Sequence, residues 1–326
     1  MMEANTGFVF PGQGSQKVGM GRAWADVSEE ARRTFEEADE VLGFPLSRLC
    51  WEGPEEELGL TTNTQPALLA TSIAIYRSLL PQGLFVEPVA MAGHSLGEYS
   101  ALVAADALDF ADALRLVRRR GELMQEAVPV GVGAMAAFIG LDDQAVAAVA
   151  EEAGQGEVCA VANYNSPGQT VIAGHKAAVD RAVAMAKERG ARKATLLAVS
   201  APFHSPLMRP AREGMAAELA KVTFRAPRLP VVTNVDAAPV NTGEAARDAL
   251  ERQIDGPVRW VESVTWMAQN AGVRRFLEIG PGNVLTGLNR RIATGTVCAS
   301  LSDPEQLAKY RALVADQSAE ESDVQA

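Results

Sequence analysis

The residues of this chain best placed to do chemistry are the five at 93–97, Gly-His-Ser-Leu-Gly. A G-x-S-x-G pattern means little alone. Here an apolar stretch, 88–92, runs straight into it, and small and apolar residues at helical spacing follow Gly97. Strand, tight turn and helix is the context in which such a serine is a nucleophile. Side chains at Gly93 and Gly97 would crowd the backbone that presents Ser95. The following helix aims its first N–H groups, Leu96 foremost, at the place where an acyl carbonyl oxygen gathers negative charge. The predicted chemistry is attack by the Ser95 hydroxyl on an acyl group.

A hydroxyl needs a base, and the chain holds three histidines, His94, His175 and His204. Neighbouring side chains diverge in a sharp turn, which assigns His94 to packing. His175 opens a helix in AGHKAAV, a surface position. His204 lies in SAPFHSPLM, a connection from which a loop can reach a cleft, and is the expected general base and acid. No Asp or Glu between Ser95 and His204 stands in a convincing loop motif, so the usual third member is missing. A main-chain carbonyl can accept the imidazole N–H instead.

The elements that must hold these groups read as α/β. GFVF is a strand stopped by Pro11 and Gly12, helical patterning covers 28–42, and a helix over 110–127 ends at Pro129. From 133 the order is strand GAMAAFIG, helix 142–153, strand EVCAVANY, turn NSPG, strand QTVIAG, helix 176–189 and strand ARKATLLAV. That is β-α-β-β-α-β, the ferredoxin-like order. Strands PVVTNV and RRFLEIG and a helix over 283–292 resume the first texture. The expected organisation is a large α/β body with a parallel sheet, 1–128 and 201–316, interrupted by a small domain at 129–200, with a cleft at the junction. The tail, 317–326, is polar, acidic and aperiodic, and is expected to be disordered.

Composition narrows the partners. The 326 residues are 48% hydrophobic and carry 41 acidic against 30 basic side chains, a net charge of −11. That balance argues against nucleic acid, whose binding is driven by clustered Lys and Arg. No signal-peptide pattern opens the chain, and the longest charge-free stretch, 58–76, carries five polar residues at 61–65, so neither secretion nor a membrane span is expected. Cys50, Cys159 and Cys298 have neither disulfide nor metal-ligand spacing and are expected to be buried thiols. The reading is a cytoplasmic protein.

Taken in order, FVFPGQGSQ, GHSLGEYSAL, RRRGELMQ, NYNSPGQTVIAG, SAPFHSPLM and LEIGPGNVLTGL closely resemble the malonyl-CoA:acyl carrier protein transacylases of fatty acid synthesis. The match covers nearly all of 7–301. The resemblance implies a hydrolase-like body with a ferredoxin-like insertion, and malonyl transfer through an ester on Ser95. It implies that His204 is the base, that Gln13 joins Leu96 in the oxyanion hole, and that the main-chain carbonyl of Gln253 orients the histidine. Arg120 would pair with the free malonyl carboxylate, which suits a planar guanidinium; Arg118 and Arg119 read as a solvated helix face. Phe203 and Leu96 resemble the malonyl-selective pattern of related polyketide acyltransferases. Arg189, Arg192 and Lys193 are the candidates for docking the carrier protein. No metal or redox cofactor is implied, and the family tends to monomers. Two other classes fit parts of the pattern, a thioesterase or esterase and a catalytically silent carrier-binding protein; Gln13 and Arg120 favour transfer over hydrolysis.

Overall fold

The computed structural model describes residues 6–80, 87–199 and 201–308. Two sheets organise them. The larger has six strands: β1 (Thr6–Phe10), β2 (Ala90–Gly93), β7 (Val231–Val232), β8 (Pro239–Val240), β9 (Arg275–Ile279) and β10 (Val297–Leu301). Their order across the sheet is β10-β9-β1-β2-β7-β8. All neighbours are parallel except β7 and β8, which form an antiparallel edge pair. The smaller sheet holds β3 (Gly133–Ile139), β4 (Cys159–Ser166), β5 (Gln169–His175) and β6 (Lys193–Leu196), antiparallel throughout in the order β4-β5-β3-β6.

Burial on both faces explains why β1 reads as a continuous apolar run. Phe8 and Phe10 enter one core cluster and Val9 the other, as period-two alternation requires. β2 does the same, with Met91 on one side and Ala90 and Ala92 on the other. The smaller sheet has its own core, in which Phe138 and Ile172 pack on Val146, Val149 and Val179 of the helices Asp143–Gly154 and Lys176–Glu188. The first of those helices starts where Asp142 caps it, its carboxylate accepting the Ala145 N–H at 2.7 Å. Main-chain bonds between Tyr164 and Val258 (2.9 Å) and between Val258 and Ala162 (2.8 Å) fasten the small sheet to the larger body.

Several sequence expectations need correction. The run 191–199 is strand only over Lys193–Leu196; Leu197 still bonds Met135 O of β3 through its N–H at 2.9 Å, and Leu197, Ala198 and Val199 line a cavity. PVVTNV yields two strand residues, because the chain turns back at Thr233, whose N–H bonds Ala238 O at 3.0 Å. Cys50 and Cys298 are buried free thiols, but Cys159 is half-buried. The charge-free stretch becomes part of the helix Thr61–Leu79, buried along most of its length inside the protein. No described helix is long and apolar enough to cross a membrane. The acidic tail, 317–326, lies outside the described residues.

β1, β2 and β7 all run toward one edge, where Phe10 pairs with Gly93. Past that edge come the loop at Pro11–Gly12–Gln13, the bend at Ser95 and the turn at Asn234. A Cβ on Gly93 would lie 1.8 Å from Gly97 O, and one on Gly97 would lie 2.1 Å from Phe10 O. The clash at Gly93 is with backbone, so no side-chain shift relieves it. Gly93→Ala should therefore cost at least the ~1–3 kcal/mol typical of overpacking, measured by urea unfolding; wild-type stability would contradict this packing.

Candidate active site

Ser95 sits at φ 52, in the left-handed region that a residue with a Cβ rarely adopts. Bonds on every side hold it there. Its N–H donates to Asn234 Oδ1 at 2.7 Å, while Asn234 Nδ2 donates to Gly93 O at 2.7 Å. The Ser95 carbonyl accepts from Gln253 Nε2 at 3.0 Å and from the Glu98 N–H at 3.0 Å. The helix Gly97–Ala104 begins directly after the bend.

His204 reaches this point from a tight turn after β6, also at positive φ (56°). Its Nε2 is 2.7 Å from Ser95 Oγ. On the other side of the ring, Nδ1 lies 2.9 Å from Gln253 O and 3.2 Å from Gly256 O. Two carbonyls accept but do not donate, so Nδ1 carries the proton and Nε2 offers its lone pair to the serine. Burial, and next the positive charge of Arg120, push the imidazole down to about 3. The ring is thus neutral, as a base awaiting a proton must be.

Arg120, from the helix Phe110–Glu126, is buried beside the same hydroxyl. Its Nη2 donates to Ser95 Oγ at 3.1 Å and to Gln253 Oε1 at 2.9 Å, and its Nη1 to Gln65 Oε1 at 2.8 Å. The Tyr99 ring lies 5.8 Å from the guanidinium. All three hydrogen-bond partners are neutral, and Nε finds none among the described residues. A buried cation without a bonded anion is costly unless the site is to receive one.

These groups open on a cavity of about 460 Å³ between the two sheets. The small sheet contributes Asn163 and Asn165, and Phe203 closes part of the wall. His94 is half-buried, with Nε2 2.8 Å from Asn165 Oδ1 and its ring 5.6 Å from Trp260, but it also lines the cavity beside Ser95, so packing does not account for it entirely. His175 is less of a surface residue than expected: it is half-buried, and its Nδ1 accepts the Val158 N–H at 2.9 Å. Gln13 lines the mouth with its side-chain amide turned to Thr61 Oγ1 at 3.2 Å. The main-chain N–H groups of Gln13 and Leu96 make no hydrogen bond among the described residues, which leaves both able to meet an oxyanion.

Of the basic residues, Arg189 is exposed but ion-paired with Glu152. Arg192 and Lys193 are exposed and enter no ion pair among the described residues. Arg118 departs from a solvated face: it is half-buried over the Phe44 ring and donates to Asn63 Oδ1 at 2.6 Å. No group of acidic, histidine and cysteine side chains suited to hold a metal occurs among the described residues.

A family model described as the acyl transferase domain matches residues 7–305. The chain belongs to the acyl transferase family. Among its acyl transferase relatives, a protein of Escherichia coli K12 named malonyl CoA-acyl carrier protein transacylase is 54% identical over 301 residues, covering 92% of this chain and 97% of that one. The Bacillus subtilis protein of the same name is 46% identical over 301 residues, covering 92% and 94%. A crystal structure of an acyl carrier protein S-malonyltransferase from Vibrio cholerae superposes with TM-score 0.92 at 49% identity, covering 94% of this chain and 99% of that one. A solved complex of a type II polyketide acyl-carrier protein with its malonyl-transacylase gives 0.91 at 50% identity, covering 93% and 97%.

Sequence reasoning missed Gln65, Glu98 and Asn234, which join the serine, the arginine and the histidine turn into one network. Each is a polar residue that is fully buried or nearly so, Glu98 and Asn234 among apolar neighbours and Gln65 at the end of the polar run 61–65. For Glu98 and Asn234 the mismatch with their neighbours was the only signal; Gln65 gave none. In histidine-labelled protein, the His204 ring resonance, assigned by its loss in His204→Ala, should stay that of neutral imidazole from about pH 8 down to about pH 5. Titration at the ordinary histidine value would contradict the burial described here.

Proposed function

We propose that this chain transfers the malonyl group of malonyl-CoA to the phosphopantetheine thiol of an acyl carrier protein, by a ping-pong route through a malonyl ester on Ser95. The observation that carries the reading is that Ser95 Oγ meets both a neutral imidazole at 2.7 Å and, at 3.1 Å, a buried guanidinium whose hydrogen-bond partners are all neutral. An acyl donor with a carboxylate one methylene from its thioester carbon suits that pair. The names of the relatives, and of the carrier complex, support the same substrates.

In the proposed first step Ser95 Oγ bonds to the thioester carbon as its proton passes to His204 Nε2. The oxyanion is met by the N–H groups of Leu96 and Gln13. The carbon–sulfur bond then breaks, and coenzyme A leaves as a thiol with the proton from His204. In the second step the carrier thiol gives its proton to His204 and attacks the ester, and Ser95 recovers its hydrogen. Acyl exchange between sulfur and oxygen moves no electrons between redox states, so the reaction asks for no redox cofactor, and the proposed steps draw on no metal. The main-chain carbonyl of Gln253 keeps the tautomer that makes both steps possible. Phe203 and Leu96 narrow the acyl pocket against branched units, a preference of about 1–3 kcal/mol per methyl.

The β3–α–β4–β5–α–β6 order and the separate core of the small sheet support a ferredoxin-like insertion, 129–200, in a hydrolase-like body, 1–128 and 201–316. The protein is proposed to act as a cytoplasmic monomer. Carrier docking falls to Arg192 and Lys193, which lie shortly before the cavity-lining residues 197–199, with Arg189 secondary because Glu152 already holds it.

Removing one partner of a buried hydrogen-bonded charge pair costs about 2–5 kcal/mol, so Arg120→Ala should lower kcat/KM for malonyl-CoA by roughly 30-fold or more. The loss for acetyl-CoA should be much smaller; equal losses count against the carboxylate role. Reversing Arg192 and Lys193 to Glu should raise KM for the carrier protein and leave KM for malonyl-CoA nearly unchanged. A rise in both would place those charges elsewhere in the reaction.

A further inference from the structure

Glu98 lies three residues after the nucleophile, wholly buried in the first turn of the helix Gly97–Ala104, and the proposed reaction gives it no task. The hydrogen bonds of its carboxyl group all fall on one oxygen. Oε2 accepts the main-chain N–H of Asn234 at 2.8 Å and the side-chain Nε2 of Gln253 at 3.0 Å, while Oε1 finds no partner among the described residues.

Gln253 is the hinge of the argument. Its amide is buried, with Nε2 facing two acceptors, Ser95 O and Glu98 Oε2, and with Oε1 facing Arg120 Nη2 at 2.9 Å. Turned over, the amide would set oxygen against carboxylate and carbonyl, and N–H against guanidinium, so that each of those three groups loses its bond to Gln253 and faces a like group in a buried site. The nitrogen that Gln253 holds on Arg120 is the same one that touches Ser95 Oγ. We infer that Glu98 is a positioning residue for malonyl recognition: by fixing the Gln253 amide with its oxygen toward Arg120, it aims the guanidinium at the acyl carboxylate. This inference rests on the carboxylate reading of Arg120 given above.

The work is done by acceptor geometry and not by charge. Burial raises the Glu98 carboxyl to about 7, against the bonds it accepts from Gln253 and Asn234 and the positive charge of Arg120, while the negative charge of Asp236 acts in the same direction as burial. The acid is therefore partly protonated near neutrality. Oε1 can carry that proton while Oε2 goes on accepting both bonds, so the network survives in either state. A glutamine at this position keeps an acceptor in place of Oε2. An aspartate keeps the acid but withdraws the acceptor from Gln253 by one methylene.

The test compares Glu98→Asp with Glu98→Gln in the full chain, reading kcat/KM for malonyl-CoA and for acetyl-CoA, with Arg120→Ala as reference. Glu98→Asp should lower the malonyl-to-acetyl ratio about tenfold, and Glu98→Gln should keep it within about threefold of wild type, since a buried amide left half-paired loses its orientation. An unchanged ratio in Glu98→Asp overturns the inference, as does a fall in Glu98→Gln equal to that in Glu98→Asp. Loss of the folded state in both variants makes Glu98 a framework residue and overturns it too. Equal losses of both substrates in Arg120→Ala sink the carboxylate reading itself, an outcome distinct from any of these.

Discussion

A serine backbone held at φ 52 is the constraint on which the rest of this structure depends. Residues kept in sparsely populated backbone regions cost on the order of 1–3 kcal/mol and persist only where their surroundings over-determine them. Ser95 is over-determined. Glycines at 93 and 97 let the bend close, Asn234 ties the Ser95 N–H to the Gly93 carbonyl, and Gln253 and the next helix turn take the Ser95 carbonyl. The return for that strain is position: the hydroxyl stands off the end of the parallel sheet, where three strand ends and the start of a helix meet.

The same network sets the charge of the site. Arg120 is ringed by neutral oxygens of Gln65, Gln253 and Ser95, and its field, after burial, helps keep His204 unprotonated. A neutral base beside a fixed cation is a sound starting point for attack by a hydroxyl on a donor that brings its own negative charge. Gln253 links the two halves of this arrangement, giving its main-chain oxygen to His204 and its side-chain oxygen to Arg120. One residue thereby couples the tautomer of the base to the aim of the cation.

Much of this was legible in the residues. The strand-turn-helix at 93–97 announced the bend that presents Ser95, and elimination among three histidines left the one that the structure brings to 2.7 Å from its hydroxyl. The β-α-β-β-α-β order from 133 onward matches the observed elements. Strand lengths were overread where the chain ends a strand to do something else, as at 197–199, which line the cavity. Arg118 was misread because nothing in a run of three arginines says that Phe44 and Asn63 wait beside one of them. Glu98, Asn234 and Gln65 stayed hidden for a related reason. Their partners include residues up to 155 positions away, and local pattern carries no information about such pairings.

The central claim is that Ser95 carries the acyl group between two thiols. Intact-protein mass spectrometry after mixing with malonyl-CoA, and again after adding holo carrier protein, tests it most directly. The account requires one malonyl mass on the wild-type chain, located by fragmentation at Ser95, absent from Ser95→Ala, and discharged onto the carrier thiol. A chain that passes malonyl to the carrier without ever bearing it, or bears it at another residue, would contradict the account.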